Sequence, residues 1–153
     1  MKLRIFQIDA FASRVFAGNP AAVVPLDSWL DDPTLQGIAT ENNLAETAFL
    51  VGGNGEYEIR WMTPTKEVDL CGHATLAAGW VVFNELEPGH TDVVFRSQSG
   101  PLRVAAQDDR LALDFPSRPP APAEAMVGPL GEALGGTPVD ALAARDLMAV
   151  FEK

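Results

Sequence analysis

Cysteine is nearly absent from this chain of 153 residues: Cys71 stands alone, so no disulfide can form within it, which fits a reducing compartment. Histidine is almost as scarce. His73 and His90, with the single cysteine, give no recognisable ligand spacing, and no metal site is expected. Positive charge is also low. Eleven Lys and Arg against 21 Asp and Glu leave a formal charge of −10, which excludes the clustered cations that neutralise nucleic-acid phosphates and argues against docking on an anionic membrane. No apolar run is long enough to cross a bilayer. The opening Met1-Lys2-Leu3-Arg4-Ile5-Phe6-Gln7-Ile8-Asp9 puts charges where a signal peptide would be apolar, so a cytoplasmic location is expected. A phosphate-binding glycine loop is missing too. Gly52-Gly53-Asn54-Gly55 falls between two strand patterns and not between a strand and a helix.

What is present suits a folded domain. Hydrophobic residues make up 47% and charged residues 21%, which excludes disorder over most of the length. Residues 3–10 carry apolar members on both alternating sets and read as a strand covered at least partly on both sides. A turn-like Phe16-Ala17-Gly18-Asn19-Pro20 leads to a second strand over 21–26. Asp31-Asp32-Pro33 opens a helix, with acid and proline where the helix dipole and the missing N–H favour them, and Asn42-Asn43 stops it. Strands over 44–51 and 56–62 flank the Gly-Gly-Asn-Gly turn as a hairpin. Three further strands are read at 92–97, 102–106 and 110–115.

The segment 72–86 is the most informative. Thr75-Leu76-Ala77-Ala78-Gly79-Trp80-Val81-Val82-Phe83 has no charge and no polar face at helical spacing. A helix apolar all round must be enclosed, and in a chain rich in strands the simplest enclosure is a curved sheet wrapped around it. Gly79 and the alanines would let strands come close, and Trp80 and Phe83 would fill larger gaps. Residues 1–115 form this first lobe. Residues 116–122, with four prolines, read as a linker. Residues 123–153, one helix over 123–134 and one strand over 146–151, read as the start of an incomplete second lobe.

Two places carry candidate chemistry. Glu46 shares a strand face with Leu44, Ala48 and Leu50, where a charged carboxylate is costly. A carboxyl group held there can take and return a proton; alternatively, Glu46 pairs with Arg60 across the hairpin. The second place is Asp69-Leu70-Cys71-Gly72-His73, at the start of the buried helix. Unpaired N–H groups at a helix start attract carboxylates, Gly72 permits close approach of a ligand, and His73 can exchange a proton near neutrality. A helix N-terminus lowers thiol pKa, so Cys71 could be a nucleophile or base; as readily, it is a small buried hydrophobe.

Four segments together resemble the PhzF-like (phenazine biosynthesis) family: Phe16-Ala17-Gly18-Asn19-Pro20-Ala21-Ala22-Val23, Asn43-Leu44-Ala45-Glu46-Thr47-Ala48-Phe49, Trp61-Met62-Thr63-Pro64 and Asp69-Leu70-Cys71-Gly72-His73-Ala74-Thr75-Leu76-Ala77. The resemblance implies an α+β, diaminopimelate epimerase-like fold, a half-barrel of mixed sheet around a central helix in each of two lobes. It implies a cofactor-independent isomerase acting on a small carboxylate-bearing substrate. Glu46 would be acid and base, His73 its partner, and the Gly72–His73 N–H groups a seat for a carboxylate, with Asn19, Cys71 and Asp69 as further substrate contacts. Related epimerases and racemases use a cysteine pair, the first in Cys-Gly-Asn-Gly; here Cys71-Gly72-His73-Ala74 favours the isomerase. Family members are about twice this long, and the Gly-Asp-Pro-x-Thr-Gly-Ser-like motif of their second lobe does not occur here. The remaining readings are a cysteine-dependent racemase, a non-catalytic binding module, and a homodimer imitating the two-lobe arrangement.

Overall fold

A computed structural model describes residues 2–152. The chain divides into two compact units, Met1–Phe115 and Pro116–Lys153. In the first, strands β1 (Phe6–Ala10), β2 (Asn19–Leu26), β3 (Glu46–Gly53), β4 (Glu56–Met62), β5 (Glu67–Val68), β6 (Asp92–Ser97), β7 (Gly100–Gln107) and β8 (Arg110–Asp114) build one mixed sheet of order β1-β2-β3-β4-β6-β7-β8, with β5 added to the far end of β4. The β2–β3 and β4–β6 pairs are parallel and the others antiparallel. Each parallel pair needs a crossover. Helix α1 (Asp32–Asn42) supplies the first, and helix α2 (Gly72–Val81), extended by a π-helical turn over Val82–Leu86, supplies the second.

Alternation along the strands sends the two helices to opposite faces. Ala48 and Leu50 of β3 join Ala21, Val23, Ile59, Trp61, Val93, Phe95, Leu102 and Val104 around α2. Phe49 joins Val24, Leu26 and Met62 against Leu35 and Ala39 of α1. The sheet therefore curls around α2 as a half-barrel, and α1 covers its convex side. The closest approach is at Gly79, where a Cβ would lie 2.7 Å from Val104 Cγ1. Only a glycine lets β7 come this near.

Enclosure is incomplete on one side. The sheet ends at β1 and β8, and along that seam Leu76 and Trp80 look into a groove of about 1090 Å³ shared with Ile8 and Leu111. Trp80 is 39% exposed and fills no gap in the core, contrary to the sequence expectation; Phe83 is buried. An apolar composition reveals that a helix is covered, but not where the covering sheet ends.

Local signals explain the joints. Asn54 and Gly55 both have positive φ, at 55° and 76°, as a two-residue hairpin turn of the primed type requires. Asn43 ends α1 in the left-handed conformation, its N–H bonded to the Ala39 carbonyl. Between β1 and β2, Gly18 passes so close to the Ala10 carbonyl that a Cβ would sit 2.5 Å from it. The Glu87 carboxylate, just past the π-helical turn, accepts bonds from the backbone N–H groups of Asn54 and Gly55 and from the Tyr57 hydroxyl. It clamps the far end of the α2 crossover to the hairpin. Burial acts to raise the Glu87 pKa, but these donors and nearby His90 outweigh it, and the net shift is downward.

The second unit is a three-stranded antiparallel sheet, β9 (Ala121–Pro122), β10 (Asp140–Ala143) and β11 (Leu147–Val150), in the order β11-β10-β9, with a 3-10 turn at Glu124–Met126 and helix α3 (Val127–Leu134). Two details differ from the sequence expectation. Ala121 and Pro122, read as the end of the linker, pair with β10 at a sheet edge, which tolerates proline. The strand β10 was not expected at all. No helix among the described residues is long and apolar enough to cross a membrane.

Two outcomes follow from these contacts. Gly79→Ala is expected to lower stability by about 1–3 kcal/mol, the usual cost of overpacking, measured by denaturant unfolding. Because the folded pKa of Glu87 lies below its unfolded value, its contribution is complete above the ordinary glutamate range and is lost as pH falls through the folded value. Glu87→Gln should therefore be less stable than wild type at neutral pH, and the gap should narrow on acidification.

Candidate active site

The left-handed turn at Asn43 delivers the chain from α1 into β3, whose first residue is Glu46, paired in register with Ala21 of β2. Glu46 shares the concave face with Ala48 and Leu50, and thus points toward the start of α2. There Cys71 is the N-cap in an extended conformation, and Gly72 and His73 open the helix. Thr75 holds this corner by donating its hydroxyl proton to the Cys71 carbonyl at 2.5 Å.

The outcome is a tight cluster. Glu46 Oε2 and His73 Nε2 lie 3.3 Å apart, with side chains 20% and 11% exposed. His73 Nδ1 lies 3.5 Å from Cys71 Sγ. Yet Glu46 Oε2 and His73 Nε2, though near each other, are not aligned as a hydrogen bond. With Trp61 Nε1 they are the buried side-chain N and O atoms that lack a hydrogen-bond partner among the described residues. Unpaired buried polar atoms are expensive. Two of them facing one another mark a place where a ligand's polar atoms would fit. Trp61 opens one of the four family-like segments but carries no site role in the sequence reading. It pairs with Ala48, which puts it on the same face one step from Glu46, and its strand pattern alone reads as an ordinary core tryptophan.

The remaining candidates are spread around this cluster. A Cβ on Gly72 would touch Phe115 Cε2 at an ordinary 3.5 Å, so packing within the chain does not demand glycine there. Asn19 begins β2, two residues before Ala21 on the same face, and is exposed. Asp69 precedes the cluster on the chain, and Ser99, in the turn between β6 and β7, donates to its carbonyl at 2.9 Å. Arg60, a possible partner of Glu46 across the hairpin, is directed to the convex face. It makes a two-pronged contact with Glu67, bonds Asp32 and lies over Trp29.

Cys71 departs from the behaviour expected of a helix N-terminal thiol. Burial pushes it up to about 12, and the Glu46 charge adds to the rise against the lowering effect of the Ala74 and His73 backbone N–H groups. It remains protonated near neutrality. Donor atoms of Glu46, Cys71 and His73 all lie within 4.8 Å of one another, a set that could hold a metal ion. Sequence spacing gave no hint of it, because Glu46 and Cys71 stand 25 positions apart. A zinc-like ion there would first have to strip a proton from a thiol that holds it tightly.

The comparisons with known proteins are consistent with one another. A family model described as phenazine biosynthesis-like protein matches residues 8–123. Over 152 residues the chain is 52% identical to an uncharacterized isomerase of Pseudomonas aeruginosa, covering 99% of this chain and 58% of that protein. A second uncharacterized isomerase of the same organism is 50% identical over 151 residues, with the same coverage. A crystal structure of a phenazine biosynthesis protein of the PhzF family from Enterococcus faecalis superposes with a TM-score of 0.89 at 44% identity, over all of this chain and 58% of that one. The chain thus spans somewhat over half the length of the relatives it matches.

The high thiol pKa has a direct readout. In the folded protein at about pH 8, Cys71 is expected to resist alkylation by iodoacetamide, and to react fully once denaturant is added; rapid labelling of the native protein would contradict a buried, protonated thiol.

Proposed function

The chain belongs to the phenazine biosynthesis-like, PhzF family, and from that premise we propose that it carries the proton-shuttling half of an isomerase acting on a small carboxylate-bearing metabolite. The observation that carries this reading is the facing pair of buried, unpartnered atoms, Glu46 Oε2 and His73 Nε2, 3.3 Å apart at the mouth of α2. In the proposed reaction Glu46 removes a proton from a carbon of the substrate. The C–H electron pair moves into the adjacent unsaturated system, and Glu46 returns the same proton to a second carbon, forming a new C–H bond. No redox change occurs, so the residues need only hold the substrate and move one proton. The first-turn N–H groups at Gly72 and His73, at the positive end of the α2 dipole, suit a substrate carboxylate. The room left by the missing Gly72 side chain, which the chain's own packing does not require, supports that seat. Relatives longer than this chain support a further proposal, that residues outside it complete the site.

A cysteine-dependent racemase is less well supported. That chemistry needs a thiolate that gives and takes protons, and Cys71 is pushed the other way. The test is Glu46→Gln in the full-length protein. Turnover is expected to fall by about 10²–10⁴-fold, the range for loss of a general base, with the circular dichroism spectrum unchanged. Wild type in D₂O should show little deuterium in the product if one proton is carried between carbons faster than it exchanges. Retained turnover in Glu46→Gln removes Glu46 from the mechanism.

A further inference from the structure

We propose that Cys71 is a positioning residue for His73: its thiol donates to Nδ1, fixes the imidazole with its proton on Nε2, and thereby presents an N–H, not a lone pair, beside the acceptor oxygen of Glu46. The catalytic meaning of this assignment rests on the proton-shuttling reading; its geometry does not.

The argument is one of polarity. An ionised carboxylate only accepts, so the nitrogen 3.3 Å from Glu46 Oε2 must carry a hydrogen to be attracted. A neutral imidazole has one N–H. With the proton on Nε2, Nδ1 is a bare acceptor inside a buried corner and needs a donor. The group next to it is the Cys71 thiol, at 3.5 Å. The opposite arrangement, with Nδ1–H directed at sulfur, would set the Nε2 lone pair against a carboxylate oxygen, two acceptors in contact. The thiol also lies close to Glu46, and its single proton cannot serve both. Donation to the carboxylate would leave Nδ1 requiring the ring proton and restore the same clash. Donation to Nδ1 gives that nitrogen its donor and leaves an N–H at Nε2 facing Oε2 without a lone-pair clash, both of those atoms still open to a ligand. The thiol can hold this role because it stays protonated, and because Thr75 pins the Cys71 carbonyl and so fixes the backbone that carries it. A cysteine at this helix start then acts without forming a bond to substrate. It sets the tautomer of its neighbour two residues on, as a second partner commonly does for a working histidine.

The experiment is long-range ¹H–¹⁵N spectroscopy of full-length protein labelled at histidine, at about pH 8, above the ordinary imidazole range. The His73 signals are assigned as those lost in His73→Gln. Wild type and Cys71→Ser, which keeps a donor, should both show a pyridine-like Nδ1 and a protonated Nε2 for His73. Cys71→Ala should populate both tautomers, and its kcat should fall about 5–10-fold, the rate equivalent of one hydrogen bond, with KM little changed and most of the loss restored in Cys71→Ser. A protonated Nδ1 in wild type, or a His73 spectrum that is the same in Cys71→Ala, overturns the assignment. Should Cys71→Ala fail to fold, the wild-type and Cys71→Ser spectra still decide it. Should no isomerase turnover be found, the spectra decide the tautomer independently, and only the functional reading is lost.

Discussion

Enclosure of α2 is the constraint from which the first unit follows. A ten-residue helix with no polar face is unstable in water, and the strands of the mixed sheet turn their small and branched side chains inward to cover it. Because the connections on either side of β3 and β4 are crossovers, the same curl that buries the helix also sets its N-terminus beside the first residue of β3. The site is thus a by-product of the core. Glu46 is exposed to the dipole end of α2 for the same reason that Ala48 and Leu50 are packed against its flank.

The chemistry of the corner depends on burial more than on charge. The helix N-terminus favours an anion at Cys71, but removal from water acts in the opposite direction and prevails. A single helix start can therefore offer its N–H groups to a ligand while keeping its own thiol neutral. Glu46 Oε2 and His73 Nε2 have no hydrogen-bond partner among the described residues in the same buried corner. A core would not tolerate this without some return, and binding is the return that the geometry suggests.

Much of this was legible residue by residue. The Asn54-Gly55 turn, the stop at Asn43, the acidic, proline-bearing start of α1 and the buried character of α2 are local signals, and each acts through its own backbone or periodicity. Glu46 stood out because a carboxylate on an apolar strand face is locally inconsistent. What could not be read depends on partners far along the chain. The two-residue β5 exists only because β4 is beside it. Ser99 claims Asp69 from thirty residues away. Trp80 sits at the seam because the sheet runs out there, which no periodicity records. The rise in the Cys71 pKa likewise needs the packing of β3 and α2 together, since the helix start alone predicts a fall.

The bare α-carbon at position 79 has a consequence for how such sequences diverge. With Val104 Cγ1 where a Cβ would be, the two positions share one volume, and neither can drift alone toward a larger side chain. A methyl gained on the helix must be matched by one lost on β7. Across a set of sequences that keep this half-barrel, 79 and 104 should change as a pair, and the sum of their sizes should hold nearly constant while each varies.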